Sequence, residues 1–399
     1  GRIIMSADPI VIVGMARTPM GGFNGVLSDA TGPELGASAI RAALERSGVP
    51  SADVDEVIMG CVLPHGQRQG PARQAAIYAG IPDAAGATTI NKLCGSGMKA
   101  TMQGHDALVA GSIDIAVTGG FESMTNIPYM VPKARQGYRM GHGQLLDAMF
   151  WDGLEDAYEV GQLMGHFAEA TAQHFQFTRE QQDDYAIRSL KRAKQANEDG
   201  SFANEMTPFT VKSRKGDVVV SRDEQPFTAN IEKIPTLRPA FAKDGTVTPA
   251  NSSSISDGAA ALVLMRRSEA ERRGLTPLAT IVGHTTHSQE PRWFTTAPIG
   301  AMQKLYDKTG WSKDEVGLYE INEAFAVVPM AAMREFDLPA DKVNVHGGAC
   351  ALGHPVGASG GRIIAALITA MQKHDVQKGV AAICIGGGEA TAVAIERAA

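Results

Sequence analysis

Apolar residues along the chain fall into short unbroken runs separated by stretches of helical spacing. Pro9–Gly14 (PIVIVG) reads as a buried strand closed by glycine, Val54–Met59 as a second strand and Ile113–Thr118 as a third. Between them, Glu34–Ser47 has apolar and alanine residues at helical intervals with Gly48 as its stop, and Lys99–Ala110 repeats the pattern up to Gly111. Ser256–Met265, Leu318–Ile321 and Val380–Ile385 return to strand texture, and Ala358–Met371 reads as a helix of small residues. Strands alternating with helices predict an α/β architecture with parallel or mixed sheets.

The last third of the chain repeats the order of the first. Ile10–Gly14 (IVIVG) is echoed by Thr280–Gly283 (TIVG), Gly48–Val57 by Gly310–Tyr319, and Thr118–Glu122 (TGGFE) by Ile385–Glu389 (IGGGE). Three echoes in the same order predict a duplicated domain. Met124–Asn251 has another texture, with aromatic, Met and charged residues and a long helical stretch through Arg179–Asn197. It reads as an insertion on the first half, within which Lys212–Asp217 (KSRKGD) is a solvated turn. The predicted division is 5–123 plus 252–275, an inserted domain 124–251, and 276–399. That agrees with the two or three domains expected of 399 residues at about 150 each.

Composition removes several function classes. The 37 basic and 43 acidic residues leave a net charge of −6, and no block of like charge forms a tail, which argues against nucleic acid or an anionic membrane as partner. No apolar run approaches the roughly 18 residues of a membrane span, and the N-terminus lacks the apolar core of a secretion signal. Gly1–Ile4 ahead of Met5 has the look of an expression remnant. Four scattered cysteines (Cys61, Cys94, Cys350, Cys384) make no disulfide framework, so a reducing, cytoplasmic location is expected.

Four segments carry candidate chemistry. In Asn91–Met98 (NKLCGSGM), Cys94 stands before a Gly-Ser-Gly turn that opens a helix. Unpaired N–H groups and the helix dipole there favour a thiolate, although most free cysteines are simply small buried hydrophobes. In Val345–Arg362 (VHGGACALGHPVGASGGR), His354 precedes a proline, which holds it in a turn; it would serve as general base toward a thiol or as a structural histidine with one hydrogen bond. Cys384–Glu389 (CIGGGE) sets a second thiol beside glycine N–H groups able to face an oxyanion. In Asn322–Ala326 (NEAFA), an Asn after a strand is more often a helix N-cap than a catalytic group. His284 and His287 would be neighbours on a helix, but no Cys or carboxylate cluster accompanies them in sequence, so no metal site is assigned.

Taken together and in order, these segments resemble the thiolase family of acyl-CoA C-acyltransferases. The likeness spans nearly the whole chain, from PIVIVGMARTPMGGFNG through GTVTPANSSSISDGAAALVL to CIGGGE. It implies a five-layered αβαβα fold of two duplicated halves with an inserted loop domain. It also implies a ping-pong reaction, acetoacetyl-CoA plus CoA giving two acetyl-CoA, on acyl-CoA substrates with no bound cofactor or metal, in a homotetramer. By resemblance Cys94 is the acylated nucleophile, His354 its base, and Cys384 the acid and base at the α-carbon. Asn322 would hold a water in one oxyanion pocket, and the N–H groups of Cys94 and Gly386 would form the other. Ser253, Ile255, Ala324 and Phe325 would line the coenzyme A tunnel.

Leu163-Met164 stands where short-chain members have His-Met, and His346 where Asn is usual; Cys350 replaces an aliphatic residue. Arg292-Trp293-Phe294 is bulkier than expected and would shorten the tunnel if turned inward. A degradative 3-ketoacyl-CoA thiolase is therefore the nearest alternative. A ketosynthase-like enzyme would lack Cys384, a non-catalytic lipid carrier would not need the four site residues, and a Cys-His hydrolase would release free acid.

Overall fold

The computed structural model describes residues 8–398; Gly1–Ile4 and the extreme ends of the expected halves, residues 5–7 and 399, lie outside them. The first half runs β1 (Ile10–Arg17), α1 (Gly32–Ser47), β2 (Glu56–Gly60), α2 (Pro71–Tyr78), β3 (Gly86–Ile90), α3 (Ser96–Ala110) and β4 (Ile115–Ser123). An insertion containing α4 (Met164–Phe175) and α5 (Arg179–Glu198) follows, and β5 (Ser256–Arg266) closes the half. The second half runs β6 (Ala279–Ser288), α6 (Ala297–Thr309), β7 (Leu318–Ile321), α7 (Val327–Phe336), α8 (Val356–Lys373), β8 (Lys378–Ile385) and β9 (Glu389–Arg397).

Local chemistry sets these limits. Thr31 caps α1, its hydroxyl accepting from the Glu34 N–H while the Glu34 carboxylate accepts from the Thr31 N–H, a reciprocal pair that satisfies two orphan donors. Gly48 ends α1 and Gly310 ends α6 in the left-handed conformation, at φ 71° and 73°, where glycine carries no Cβ penalty.

The strands form one sheet in the order β7-β8-β9-β6-β1-β5-β4-β2-β3, with Gly21–Gly22 paired on β5. Reading outward from the β6–β1 seam, β6 matches β1, β9 matches β5, β8 matches β4 and β7 matches β2. The match extends to detail: β1 is irregular between Ile12 and Gly14, and β6 between Ile281 and Gly283, the two IVG segments that echo in sequence. The seam itself pairs only Val11 with Thr280 and Ile12 with Ala279.

Three apolar cores separate five layers. Val57, Val117 and Ala261 face α1 and α2 on one outer side. Ala382, Ala392 and Ile321 face α6 and α7 on the other. Ile12, Leu262, Leu264, Ala381 and Ile383 face the central pair α3 and α8. Alternate residues of one strand thus serve different layers, the period of two expected of a sheet buried on both faces. Burial of α8 all round explains its small residues: a Cβ on Gly97 of α3 would stand 2.8 Å from the Gly357 carbonyl oxygen and from the Gly361 nitrogen of α8.

The insertion is tied down by buried charge. Arg17 of β1 pairs with Glu205 at 2.6 Å and Asp223 at 2.8 Å, all three fully buried. Removing one partner of such a set leaves an uncompensated charge, which costs several kcal/mol. Lys212–Asp217 is an exposed turn between the short strands Phe209–Val211 and Val218–Val220.

Candidate active site

The two central helices start at the same place, and the site is built where their first turns meet. Cys94 lies just before α3, on a loop held from several directions. The Lys92 N–H donates to Ser96 Oγ, which donates to the Leu93 carbonyl, and the Leu93 N–H donates to Asn91 Oδ1. Leu93 itself is forced to φ 46°, a left-handed conformation that costs a branched residue of order 1 kcal/mol or more. Lys92 reaches Glu389 in the other half at 2.7 Å. Gly95 admits Ile385 of β8 so closely that a Cβ there would lie 2.4 Å from its Cδ1.

These contacts bring the CIGGGE segment onto the nucleophile loop. The backbone N–H groups of Gly386 and of Cys94 itself face the Cys94 sulfur and favour its ionised form. Burial nevertheless raises the Cys94 thiol above its ordinary pKa, because loss of solvent outweighs those two N–H groups. Burial thus opposes the pull toward a thiolate expected at the helix N-terminus. Cys384 is buried and also raised, first by burial and then by the nearby Cys94 sulfur.

His354 stands in the turn ahead of α8. Its Nδ1 lies 2.5 Å from Ser359 Oγ, whose hydroxyl donates to the Pro355 carbonyl. Ser359 therefore accepts from Nδ1–H, which leaves the lone pair on Nε2. Nε2 is buried with no protein partner. Burial, then the nearby Arg362, lowers the imidazole pKa to about 3, so the ring is neutral.

Cys94, His354 and Gly386 share the wall of one apolar cavity of about 520 Å³. Leu163, Met164, Ser253, Ile255, Ala324 and Phe325 line it as well. Asn322 and Cys384 do not line it, though each stands two residues from one that does, Ala324 and Gly386. Asn322 is not a helix N-cap, since α7 begins only at Val327. Its side-chain oxygen and nitrogen are both buried without a partner, a pair that an ordered water would satisfy. Of the bulky trio, Phe294 turns into the cavity wall, whereas Trp293 packs against His174 with ring centroids 5.3 Å apart. His284 and His287 lie on a strand rather than a helix, so an odd spacing sends them to opposite faces.

Several residues that shape the site carry no signature of their own in sequence. Phe150 and Leu154 come from a single π-helical turn, and Phe241 from a loop of the insertion. Glu122 is buried and clamps three backbone N–H groups, those of Val62, Leu63 and Gly357, at 2.8–3.1 Å. Burial raises its pKa to about 7 against the pull of those bonds. Glu323 accepts from Tyr185 and Ser189 of α5 and from Asn344, fixing the segment that carries Asn322. Glu122 ends the TGGFE segment that IGGGE echoes, but only the fold reveals what it holds.

A five-layered fold whose central helices present a cysteine and a histidine to an apolar cavity defines the thiolase class of acyl-transfer protein. Comparison with known proteins agrees. The profile described as thiolase, N-terminal domain, matches residues 10–268, and that described as thiolase, C-terminal domain, matches 275–397. The chain belongs to the thiolase family. It is 46% identical over 394 residues to the acetyl-CoA acetyltransferase of Rhizobium meliloti, covering 98% of this chain and 100% of that protein. It is 47% identical over 391 residues to acetyl-CoA acetyltransferase 2 of Arabidopsis thaliana, covering 97% and 96%. The crystal structure of the Bacillus anthracis acetyl-CoA acetyltransferase superimposes with a TM-score of 0.96 at 39% identity, covering 99% and 100% of the two chains.

Proposed function

We propose that this thiolase transfers acetyl groups reversibly between coenzyme A thioesters, converting acetoacetyl-CoA and CoA to two acetyl-CoA. The observation that carries the reading is that Cys94, the Gly386 backbone and the unpartnered Nε2 of His354 meet in one apolar cavity. His354 Nε2 takes the Cys94 proton as the sulfur attacks the thioester carbonyl. The oxygen that gains charge is stabilised by the N–H groups of Cys94 and Gly386, each such donor being worth roughly 3 kcal/mol. CoA leaves as its thiol, and the acetyl group stays on Cys94. In the synthetic direction Cys384 removes the α-proton of a second acetyl-CoA, whose carbon attacks the acetyl-enzyme and expels Cys94. Cleavage runs the same steps backwards, with Cys384 returning the proton. A water on Asn322 completes the second oxyanion pocket. Coenzyme A is substrate, and the sequence of steps needs no resident cofactor or metal.

Acetyl-CoA should add one acetyl group to the intact protein, read by mass spectrometry. Cys94→Ala should abolish that label; a variant labelled at the normal rate would overturn the assignment. Cys384→Ser should slow condensation and cleavage far more than exchange of acetyl between CoA molecules, and equal loss in both would reduce Cys384 to a structural thiol.

An enclosing wall of Leu163, Phe294 and Phe150 supports short acyl chains over the longer substrates of a degradative thiolase. Each further methylene changes discrimination by about 1–3 kcal/mol, so rates across acyl lengths test this directly. The reading extends to a cytoplasmic homotetramer. No described helix is long and apolar enough to cross a membrane, and Tyr129, Val131, Met140 and Leu145 leave apolar surface exposed on the inserted domain. Light scattering at the mass of one chain would remove the tetramer.

A further inference from the structure

The junction of the two halves carries a second group of chemically active side chains, far from the cavity. His105 and Asp106 lie near the end of α3, and His284 comes from β6 of the other half. His105 Nδ1 stands 2.9 Å and His284 Nε2 2.7 Å from the same oxygen, Asp106 Oδ1. The two rings meet edge to face with centroids 5.0 Å apart, and the three ligand atoms all lie within 4.8 Å of one another.

Two features distinguish this group from an ordinary surface ion pair. Both imidazoles converge on one oxygen instead of sharing the carboxylate, so three potential ligand atoms cluster together. The two histidines are largely buried, with side-chain exposures of 18% and 13%, while Asp106 at 60% leaves one side open to water.

We propose that His105, Asp106 and His284 form a binding site for a divalent transition cation of the Zn²⁺ type, which fastens α3 of the first half to β6 of the second. Two nitrogens and one oxygen suit zinc-like ions and disfavour Mg²⁺ and Ca²⁺, which take oxygen donors. Metal–ligand bonds of about 2.0–2.1 Å put tetrahedral donors about 3.4 Å apart, so each nitrogen draws back from Asp106 Oδ1 by roughly half an ångström or a little more while the two nitrogens, now within 4.8 Å of each other, settle to the same spacing. Each imidazole then carries its proton on the other ring nitrogen, and water fills the fourth position from the open side. Lys308, which donates to the His284 carbonyl at 2.9 Å, is the nearby positive charge; its exposed side chain can swing aside. The cation stabilises the junction and takes no part in acyl transfer.

The test is titration of the full-length, chelator-treated protein with Zn²⁺ and Co²⁺. The wild type should take up one metal per chain, with a cobalt spectrum free of sulfur-to-metal charge transfer, and Zn²⁺ should raise its melting temperature by mass action. Asp106→Asn keeps the shape and an acceptor oxygen, so it should fold and retain acyl transfer. Its metal affinity should fall by at least roughly 10- to 100-fold, the loss seen when even a residue orienting a metal ligand is removed. His105→Gln is the second variant and should fall alike. No uptake by the wild type would reduce the triad to hydrogen bonds only. Equal uptake by both variants, or a cobalt–sulfur band marking Cys94 or Cys384 as the ligand, would also overturn the proposal.

Discussion

Ser359 contributes one oxygen to the site, and it decides which nitrogen of His354 is basic. It accepts from Nδ1–H because its own hydroxyl is engaged with the Pro355 carbonyl. Ser359→Ala should therefore let the ring adopt the wrong tautomer without emptying much volume. We expect kcat to fall by roughly 10- to 100-fold, part of the 10²- to 10⁴-fold that general-base catalysis supplies, with KM little changed and the melting temperature near wild type. Steady-state kinetics beside thermal unfolding checks this; a loss of stability with intact kcat would mark Ser359 as packing alone. Motif likeness made His354 and Cys94 legible in the sequence. Their ionisation was not, because a helix N-terminus and a buried sulfur act in opposite directions and only the depth of burial decides between them.

At the scale of elements, the sequence pattern found the most apolar strands and the helices α1, α3, α5 and α8, passed over α2, β3, α6 and α7, and misjudged ends where glycine intervenes. The third strand reads as stopping at Thr118, before Gly119-Gly120, yet β4 continues to Ser123. Those glycines do not break it; they let a helix in. A Cβ on Gly120 would lie 1.9 Å from the Gly357 carbonyl oxygen at the start of α8, the close backbone approach that glycine in a strand often marks. Likewise α3 begins at Ser96 and α8 at Val356, earlier than apolar periodicity suggests, because their first turns are glycine and serine packed on each other. Gly97→Ala should drive the two helices apart, since backbone cannot rotate away as a side chain can. A cost of about 1–3 kcal/mol in urea unfolding is expected, together with a loss of acyl-enzyme formation beyond what the stability change explains. Wild-type labelling in a destabilised variant would mean that the site tolerates the shift.

For the whole molecule, buried titratable groups link stability to acidity. His354 and His346 are neutral in the folded chain, with pKa values lowered from 6.5 to about 3 and about 4, in both cases chiefly by burial. Below pH 6.5 the unfolded chain gains protons that the folded one refuses, so stability falls with pH until these lower values are reached. Glu122, raised from 4.5 to about 7, acts the other way and favours the folded state as pH drops through 7 toward 4.5. His346→Asn should remove its share of the acid sensitivity, up to about 3 kcal/mol at pH 4, which unfolding curves at pH 7 and pH 4 would measure. An unchanged difference would show His346 already charged in the fold. No local pattern links residues 94 and 354, which line one cavity because the first turns of α3 and α8 pack together. These helices occupy matching places in the two halves, so nucleophile and base are symmetry mates by backbone and unlike by chemistry. A pair of identical subunits can set only like side chains across its twofold axis. Joining both copies in one polypeptide lifts that restriction, allowing one member to become sulfur and the other imidazole.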